Sequence, residues 1–186
     1  VIWEAMDGVM GGTQRCMEWL AQVSDICVEN QIPVCWTSPV GFPVKQWYCK
    51  TELRCVKTMI GDSFRKHGLR ADLDEVDGRR MRNGISPNFV HALDAACLMR
   101  CVLLSKAKGV HQFAMVHDSF ATTALHSEAL AVSIREAYLQ IFSEDVLADF
   151  KREVEAYLPA GAVLPPLPSY GNLDPADLMG SLYFFN

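Results

Sequence analysis

The sequence contains no Cys-x-x-Cys pair and no cysteine and histidine residues at zinc-finger spacing. Its seven cysteines are scattered, at positions 16, 27, 35, 49, 55, 97 and 101. This spacing indicates neither a structural zinc site nor a disulfide framework. We therefore expect a reduced, intracellular protein in which Cys97 and Cys101, four residues apart on one helix face, are small core residues.

The sequence also lacks a signal peptide and an apolar run of the roughly 18 residues that a membrane-spanning helix needs. We expect no contact with a membrane. There is no initiator methionine, and an apolar pattern begins at residue 1, so we expect a shortened N-terminus. The 186 residues, half of them hydrophobic, can bury a sizeable core in one domain or in one large piece of a longer protein.

The chain has no overall excess of basic residues, because its formal net charge is -5, which argues against a simple basic nucleic-acid-binding protein. The charges are unevenly distributed, however. Residues 45–70 hold seven basic residues against two acidic ones, whereas residues 118–186 hold three basic residues against ten acidic ones. A basic arm on an acidic molecule can still bind phosphates.

Residues 110–123, VHQFAMVHDSFATT, predict two short strands joined by a tight turn that presents Asp118 outward. A carboxylate on such a support suits Mg²⁺, which prefers oxygen ligands. Aspartate is also favoured in turns for its local hydrogen bonds alone. Two-metal phosphoryl transfer needs a second carboxylate as well, so this residue by itself does not define a site.

The first half of the chain predicts one helix and several extended segments. Apolar spacing predicts a helix over residues 13–27 with Thr13 as its N-cap. A strand follows at residues 34–37, then a turn at 38–42 and an extended segment at 43–49. Residues 51–60 and 63–69 read as the two arms of a second hairpin around Gly61-Asp62, and residues 70–84 as an exposed, mobile charged loop.

The second half predicts mostly helices. Ser86-Pro87 is typical of a helix start, and the predicted helix carries an apolar stripe of Val90, Leu93, Cys97, Cys101 and Leu104. Helices are predicted at residues 127–142, capped by Ser127, and at residues 145–158. A Pro-rich connector at residues 159–168, a short helix from Asp174 and an aromatic tail complete the chain.

Several blocks occur in a particular order: WTSPVGFPVKQWY at residues 36–48, GISPNFVHALDAACL at 84–98, FAMVHDSF at 113–120, DVLADF at 145–150, then GNL and an aromatic tail. In this order they resemble the C-terminal part of the single-subunit DNA-directed RNA polymerases of bacteriophages and mitochondria. The resemblance covers most of the chain from Trp36 onward. It implies an α+β fragment of a right-hand polymerase, in which an antiparallel hairpin carrying the catalytic aspartate packs on helices of the palm and fingers.

The resemblance also implies a division of the chain. Residues 1–50 would form a fingers-side helix and strands, and residues 51–84 a specificity-type hairpin and exposed loop. Residues 85–158 would form the palm with the His-Asp-Ser hairpin, and residues 159–186 the connector and tail.

Site residues follow from the resemblance as well. Asp118 would be the catalytic residue and a ligand of two Mg²⁺ ions, with the second carboxylate outside this chain. Contacts to nucleic acid or the active site would come from His91, Asp94, His117 and Ser119. Contacts to the promoter or template would come from Arg54, Lys57, Arg65 and His67. The tail residues Phe185 and Asn186 would lie near the site.

The implied reaction is Mg²⁺-dependent, DNA-templated RNA synthesis. Its partners would be the DNA template and promoter, the RNA product, ribonucleoside triphosphates and the upstream part of the same polymerase. The family's first metal-binding aspartate and its triphosphate-binding fingers helix would precede Val1, so the isolated chain is expected to be inactive. The block at residues 145–150 favours a phage enzyme, in the cytoplasm of an infected host, over a mitochondrial one.

Three alternatives stay open from the sequence. A related DNA polymerase would share the palm hairpin but usually carries Glu where Ser119 stands. A non-catalytic nucleic-acid-binding module would bind in a salt-dependent manner without requiring Mg²⁺. A purely structural domain would leave the basic segment at residues 45–70 without DNA binding.

Overall fold

The computed structural model describes residues 2–181 and residue 184. These residues form a mixed structure of helices and three separate antiparallel hairpins, as expected for an α+β protein. The elements in chain order are α1 Ile2–Glu29, β1 Val34–Thr37, β2 Pro43–Gln46, β3 Cys49–Ile60, β4 Ser63–Val76, α2 Gly78–Ala107, β5 Ala114–Val116, β6 Ser119–Ala121, α3 Ser127–Phe142 and α4 Val146–Glu155. Short 3₁₀ helices occupy Ala124–His126 and Pro175–Gly180.

The predicted apolar face of α1 is confirmed, because Trp19, Val23 and Cys27 are buried in the main core. The predicted N-cap at Thr13 is wrong, since helical structure begins at Ile2 and continues past this residue. Met10, with φ -125° and ψ 28°, interrupts the helical backbone and joins two helical segments at a kink. The Gly11-Gly12 pair after Met10 therefore lies inside the helix rather than before it.

Four aromatic side chains connect α1, β1, α2 and α4 at the centre of the core. Phe150 lies at the middle of this group, with its ring centroid 5.9 Å from Trp19, 5.5 Å from Trp36 and 5.1 Å from Phe89. All three contacts are edge-on, the geometry that the quadrupoles of aromatic rings favour. The WTSPV, PNF and DVLADF segments of the sequence thus meet at one point in the fold.

Two predictions about the region before α2 are wrong. Residues 70–76 continue strand β4, and residues 78–84 already belong to α2, so residues 70–84 are not a loop. The helix begins where the Asp77 side chain accepts a hydrogen bond from the backbone N–H of Arg80 at 3.0 Å, not at Ser86-Pro87. Packing explains the early start, because Met81 and Ile85 are completely buried. Pro87 therefore lies inside the helix.

The predicted stripe of α2 is confirmed at Cys97 and Cys101, which are both buried. Val90 instead points outward, and Phe89 takes its place in the core. By length and composition α2 could cross a membrane, with mean hydropathy of 1.3 over its most apolar 18 residues, although the sequence predicted no such segment. It packs against α1 and α3 and buries seven of its side chains.

The helices after the β5–β6 hairpin agree with prediction, except that α4 ends at Glu155 rather than at residue 158. The expected face of α3 is buried at Leu130, Ile134, Ala137 and Ile141, although Ser127 begins the helix without capping it and donates to the carbonyl of Ala124. The Pro-rich connector at residues 159–168, predicted to be extended, begins with a turn in which the backbone N–H of Ala162 donates to the carbonyl of Pro159 at 3.2 Å, and residues 162–168 have no regular secondary structure. It is fixed to α1 by the Trp19 indole, which donates to the carbonyl of Pro165 at 3.2 Å.

Candidate active site and nucleic-acid surface

The candidate catalytic residue lies in the two-residue turn of the hairpin formed by β5 and β6. Val116 pairs with Ser119, so His117 and Asp118 form the turn. Both side chains are exposed. His117 has φ 53°, in the left-handed region that residues other than glycine seldom adopt. The turn thus holds Asp118 outward on a short support with an unusual backbone.

The hairpin is fixed to the helices through one of its faces. Met115 and Phe120 form a cross-strand pair and pack against a buried cluster on α2 and α3, made of Cys101, Leu130, Ile134 and Ala137. The base of the hairpin is closed by the Thr122 hydroxyl, which donates to the carbonyl of Gln112 at 2.7 Å. Side-chain packing on one face leaves the turn and the other face free.

A cleft of about 600 Å³ separates this hairpin from the N-terminal half of α3. Asp118, Ser119 and Thr122 supply polar groups to the cleft, and Leu130 and Ile134 supply part of its apolar wall. A carboxylate beside a cleft of this size can approach a bound molecule, in contrast to a carboxylate on a convex turn.

Tyr138 of α3 packs against the same buried cluster as the hairpin residues Met115 and Phe120, and also against Cys97 of α2. It was not among the predicted site residues. The pKa of Tyr138 is raised to about 12, mainly because the side chain is partly buried. The nearby Cys97 thiol and the carboxylates of Asp94 and Asp118 raise it in the same direction. Both carboxylates therefore lie in the surroundings of one hydroxyl group. The signal was available, since Tyr138 follows Ile134 by one helical turn on the apolar face of α3, and a buried tyrosine usually hydrogen-bonds through its hydroxyl.

The predicted α2 residues lie one turn apart, with His91 exposed and Asp94 half-buried. Asp94 also contributes, after burial, to raising the pKa of Cys97 to about 12, so this thiol stays protonated near neutral pH. Asp94 and Asp118, which are 24 positions apart in the chain, thus both lie in the surroundings of Tyr138. Phe184 stacks edge-on against Tyr138 at 5.1 Å, whereas the predicted tail contacts Phe185 and Asn186 lie outside the described residues.

The long β3–β4 ribbon holds the four predicted promoter or template contacts, but it does not place them together. Cross-strand partners share a face, and faces alternate along each strand. Arg54 pairs with Leu69, Thr58 with Arg65 and Val56 with His67, so three of the predicted residues lie on one face. Lys57 pairs with Lys66 on the opposite face. All four side chains are exposed.

A polar network fixes the base of the ribbon to α2. Asn88 donates to the Gln46 side-chain oxygen at 2.7 Å and to the Tyr48 hydroxyl at 2.8 Å, while Gln46 donates to the carbonyl of Met81 at 2.7 Å. Gly84 leaves room for the Tyr48 ring, since a Cβ there would lie 2.8 Å from Cε2 of that ring. The ribbon therefore projects from a defined point on the helix that carries His91 and Asp94.

Within residues 2–181 and residue 184, no group of three or more histidine, cysteine, aspartate or glutamate side chains could enclose a metal ion. Asp118 could supply one carboxylate ligand, and a complete site would need further oxygen ligands from elsewhere. The seven cysteines are free thiols. Burial raises the pKa of Cys27 to about 11, so it too stays protonated near neutral pH.

The family model of DNA-dependent RNA polymerase matches residues 1–164. DNA-directed RNA polymerase 3, chloroplastic, of Nicotiana sylvestris is 35% identical over 182 residues, which cover 98% of this chain and 18% of that protein. DNA-directed RNA polymerase 2, chloroplastic/mitochondrial, of Arabidopsis thaliana is 34% identical, with 98% of this chain and 17% of that protein covered.

DNA-directed RNA polymerase 2A of Nicotiana tabacum is 31% identical over 98% of this chain and 53% of its own length. The chain therefore spans less than a fifth of the first two relatives and about half of the third. All three are plant proteins, and two are named for chloroplasts or mitochondria. They do not support the predicted phage source or the cytoplasm of an infected host. By the family match over most of its length, the chain belongs to the DNA-dependent RNA polymerases of the single-subunit, phage and mitochondrial type.

Proposed function

We propose that this chain is a portion of a polymerase that synthesises RNA on a DNA template, and that Asp118 is its catalytic carboxylate. The observation that carries the proposal is the position of Asp118, exposed in a tight turn beside a cleft of about 600 Å³. The chain's membership of a polymerase family supports the proposal. The reaction joins the 3′-hydroxyl of growing RNA to the α-phosphate of a ribonucleoside triphosphate, and pyrophosphate leaves.

The donor chemistry of Asp118 fits Mg²⁺. An exposed carboxylate can bind a hard cation that keeps water and phosphate oxygens in its other positions. Mg²⁺ bound there would supply positive charge to the oxygens that react. Asp118 would hold the Mg²⁺ ions together with a carboxylate from outside this chain.

The other residues around the turn have distinct roles in this proposal. His117 and Ser119 flank Asp118, and both have exposed side chains that can hydrogen-bond to a phosphate or sugar. His91 and Asp94, one helical turn apart on α2, would contact the RNA–template duplex. The ribbon face with Arg54, Arg65 and His67 would contact promoter or template DNA, because arginine side chains suit both phosphates and guanine edges.

The test is the substitution Asp118→Asn in the complete polymerase, with Asp62→Asn as the matched control. Asp62 also lies in the two-residue turn of an exposed hairpin, so both substitutions remove one carboxylate charge from the same kind of backbone. We expect Asp118→Asn to abolish nucleotide incorporation while template binding stays within about twofold, and Asp62→Asn to leave incorporation near the wild-type level.

Near-normal incorporation by the Asp118→Asn polymerase would remove Asp118 from this role. We also expect the isolated 186-residue chain to incorporate no nucleotide, because it spans less than a fifth of the first two relatives described above. Incorporation by the isolated chain would contradict the requirement for a second carboxylate from another part of the protein.

A further inference from the structure

The free end of the β3–β4 ribbon is unusually apolar for an exposed turn. Met59, Ile60 and Phe64 are 68%, 57% and 75% exposed. Met59 pairs directly with Phe64, so their side chains lie side by side on one face next to the Gly61-Asp62 turn. We call these three side chains the ribbon tip. Exposed apolar groups concentrated at one end of an element indicate a binding surface.

Basic residues lie directly behind the ribbon tip. Lys57 and Lys66 form a cross-strand pair one step inward on the same face as Met59 and Phe64. Two like charges directly opposite each other destabilise an isolated ribbon, so this pair fits a partner that carries negative charge. Arg65 adds a third cation on the other face, and Asp62 is the only acidic residue between Lys57 and His67.

The geometry of the ribbon allows the tip to reach a partner far from the core. From Leu53 to Ile60 the strand β3 extends about 23 Å at the usual rise per residue. Seven of these eight side chains are exposed, and Thr58 is the exception. The major groove of DNA is wide enough to admit a two-stranded β-ribbon.

We propose that the ribbon tip inserts Phe64 and Met59 between unpaired or unstacked bases of DNA, while Lys57 and Lys66 bind the flanking phosphates. This inference rests on the proposed function, which supplies DNA as the partner. It assigns a second role to the ribbon, on the face opposite Arg54, Arg65 and His67. Phenylalanine, methionine and isoleucine are the side chains that proteins use as wedges between base steps, and aromatic rings stack on bases of any sequence.

The charge around the tip favours DNA over an apolar protein groove. A groove that accepted Phe64 and Met59 would also have to accommodate the two lysines beside them. A DNA strand satisfies both requirements at once, because its bases are flat and apolar on their faces and its phosphates alternate with them.

The experiment uses the complete polymerase and two DNA probes: a fully paired duplex, and the same duplex with an internal bubble of unpaired bases. The test variant combines Met59→Ala with Phe64→Ala. Leu53→Ala is the matched control, because Leu53 is equally exposed and lies on the same face, nearer the base of the ribbon. Phe64→Tyr serves as the conservative variant, since it keeps the aromatic ring.

We expect the double variant to bind the bubble probe about tenfold more weakly, the order of one lost base–aromatic stack, and the paired duplex with less than a twofold change. Leu53→Ala and Phe64→Tyr should bind both probes as the wild type does. An equal loss on both probes, or no loss on either, would overturn the proposal.

A fall in the thermal stability of the complete polymerase, together with unchanged bubble binding, would show that the tip packs against protein, and would also overturn it. These DNA-binding outcomes do not depend on the result for Asp118→Asn, which tests whether Asp118 is the catalytic carboxylate. If the wild-type polymerase bound neither probe, the proposed function itself would fail.

Discussion

Gly84 lies so close to the Tyr48 ring that we expect an alanine there to destabilise the protein, although alanine usually stabilises a helix relative to glycine. Gly84 lies inside α2, where replacing glycine by alanine ordinarily stabilises a protein by about 0.5–1 kcal/mol. Here the new Cβ would lie 2.8 Å from Cε2 of the Tyr48 ring, well inside the normal carbon–carbon contact distance. The ring would have to move by roughly 1 Å to restore that distance.

The Tyr48 ring is not free to move at low cost. Its hydroxyl accepts a hydrogen bond from Asn88 at 2.8 Å, and its backbone carbonyl accepts one from Asp77 at 2.9 Å. The Arg80 guanidinium also lies 5.1 Å from the ring centroid. Displacing the ring would weaken a hydrogen bond worth about 0.5–1.5 kcal/mol and a cation–π contact worth about 0.5–1 kcal/mol.

We therefore expect Gly84→Ala to destabilise the chain by about 1–3 kcal/mol, since overpacking and these losses exceed the gain in helix propensity. Urea unfolding followed by circular dichroism measures the change. Gly78→Ala is the control in the same helix, because its Cβ would meet only Val28 at an ordinary 3.4 Å. That variant should be neutral or slightly stabilising.

A double-mutant cycle tests the mechanism. In a Tyr48→Ala background the obstructing ring is gone, so Gly84→Ala should become stabilising by about 0.5–1 kcal/mol. If Gly84→Ala had the same effect in both backgrounds, the ring contact would not be the cause. If it stabilised the wild-type chain, the reasoning from the 2.8 Å distance would be refuted.

Two further predictions concern the hairpin turn and the thiols. His117 has φ 53°, a backbone angle that asparagine tolerates and a β-branched side chain does not. In the complete polymerase we therefore expect His117→Asn to retain more nucleotide incorporation than His117→Val, by a factor on the order of ten. Equal activity of the two variants would argue against a role for the turn geometry. For the thiols, iodoacetamide at pH 8 should label the exposed Cys55 rapidly. Cys27 and Cys97 should stay unlabelled until denaturant is added, because burial raises their pKa values to about 11 and about 12. Mass spectrometry of the native protein checks this, and rapid native labelling of Cys97 would contradict it.

The sequence predicts the hairpins well because their turns are local. Gly61-Asp62 and His117-Asp118 each separate two segments of suitable length, and both pairs form the turns of antiparallel hairpins. The start of α2 was mispredicted because Ser86-Pro87 is a strong local signal for a helix start. Packing overrides it, since Met81, Ile85 and Phe89 repeat every four residues and are all buried.

The candidate site was only partly accessible from the sequence. Asp118 follows from the turn pattern and the family blocks, which are contiguous in the chain. Tyr138 could not be predicted as a site residue, because its relation to Asp94 and Asp118 depends on how α3 packs against α2 and the hairpin. Lys57 and Arg54 lie three positions apart on β3 and therefore on opposite faces at any register. Which of the two shares a face with Arg65 and His67 of β4 depends on the strand register, and a shift of one residue would change it.

Helix α2 sets the distance and the angle between the β3–β4 ribbon and the β5–β6 hairpin. Its early turns hold the base of the ribbon through Asn88 and Met81, and its later turns hold the β5–β6 hairpin through Cys101 and Leu104. An α-helix advances about 1.5 Å and turns about 100° with each residue. One inserted or deleted residue between Asn88 and Cys101 would therefore rotate the Asp118 hairpin by about 100° relative to the ribbon. The spacing of these anchors along α2 therefore sets the orientation of the turn that carries Asp118 relative to the ribbon, for which we propose DNA binding.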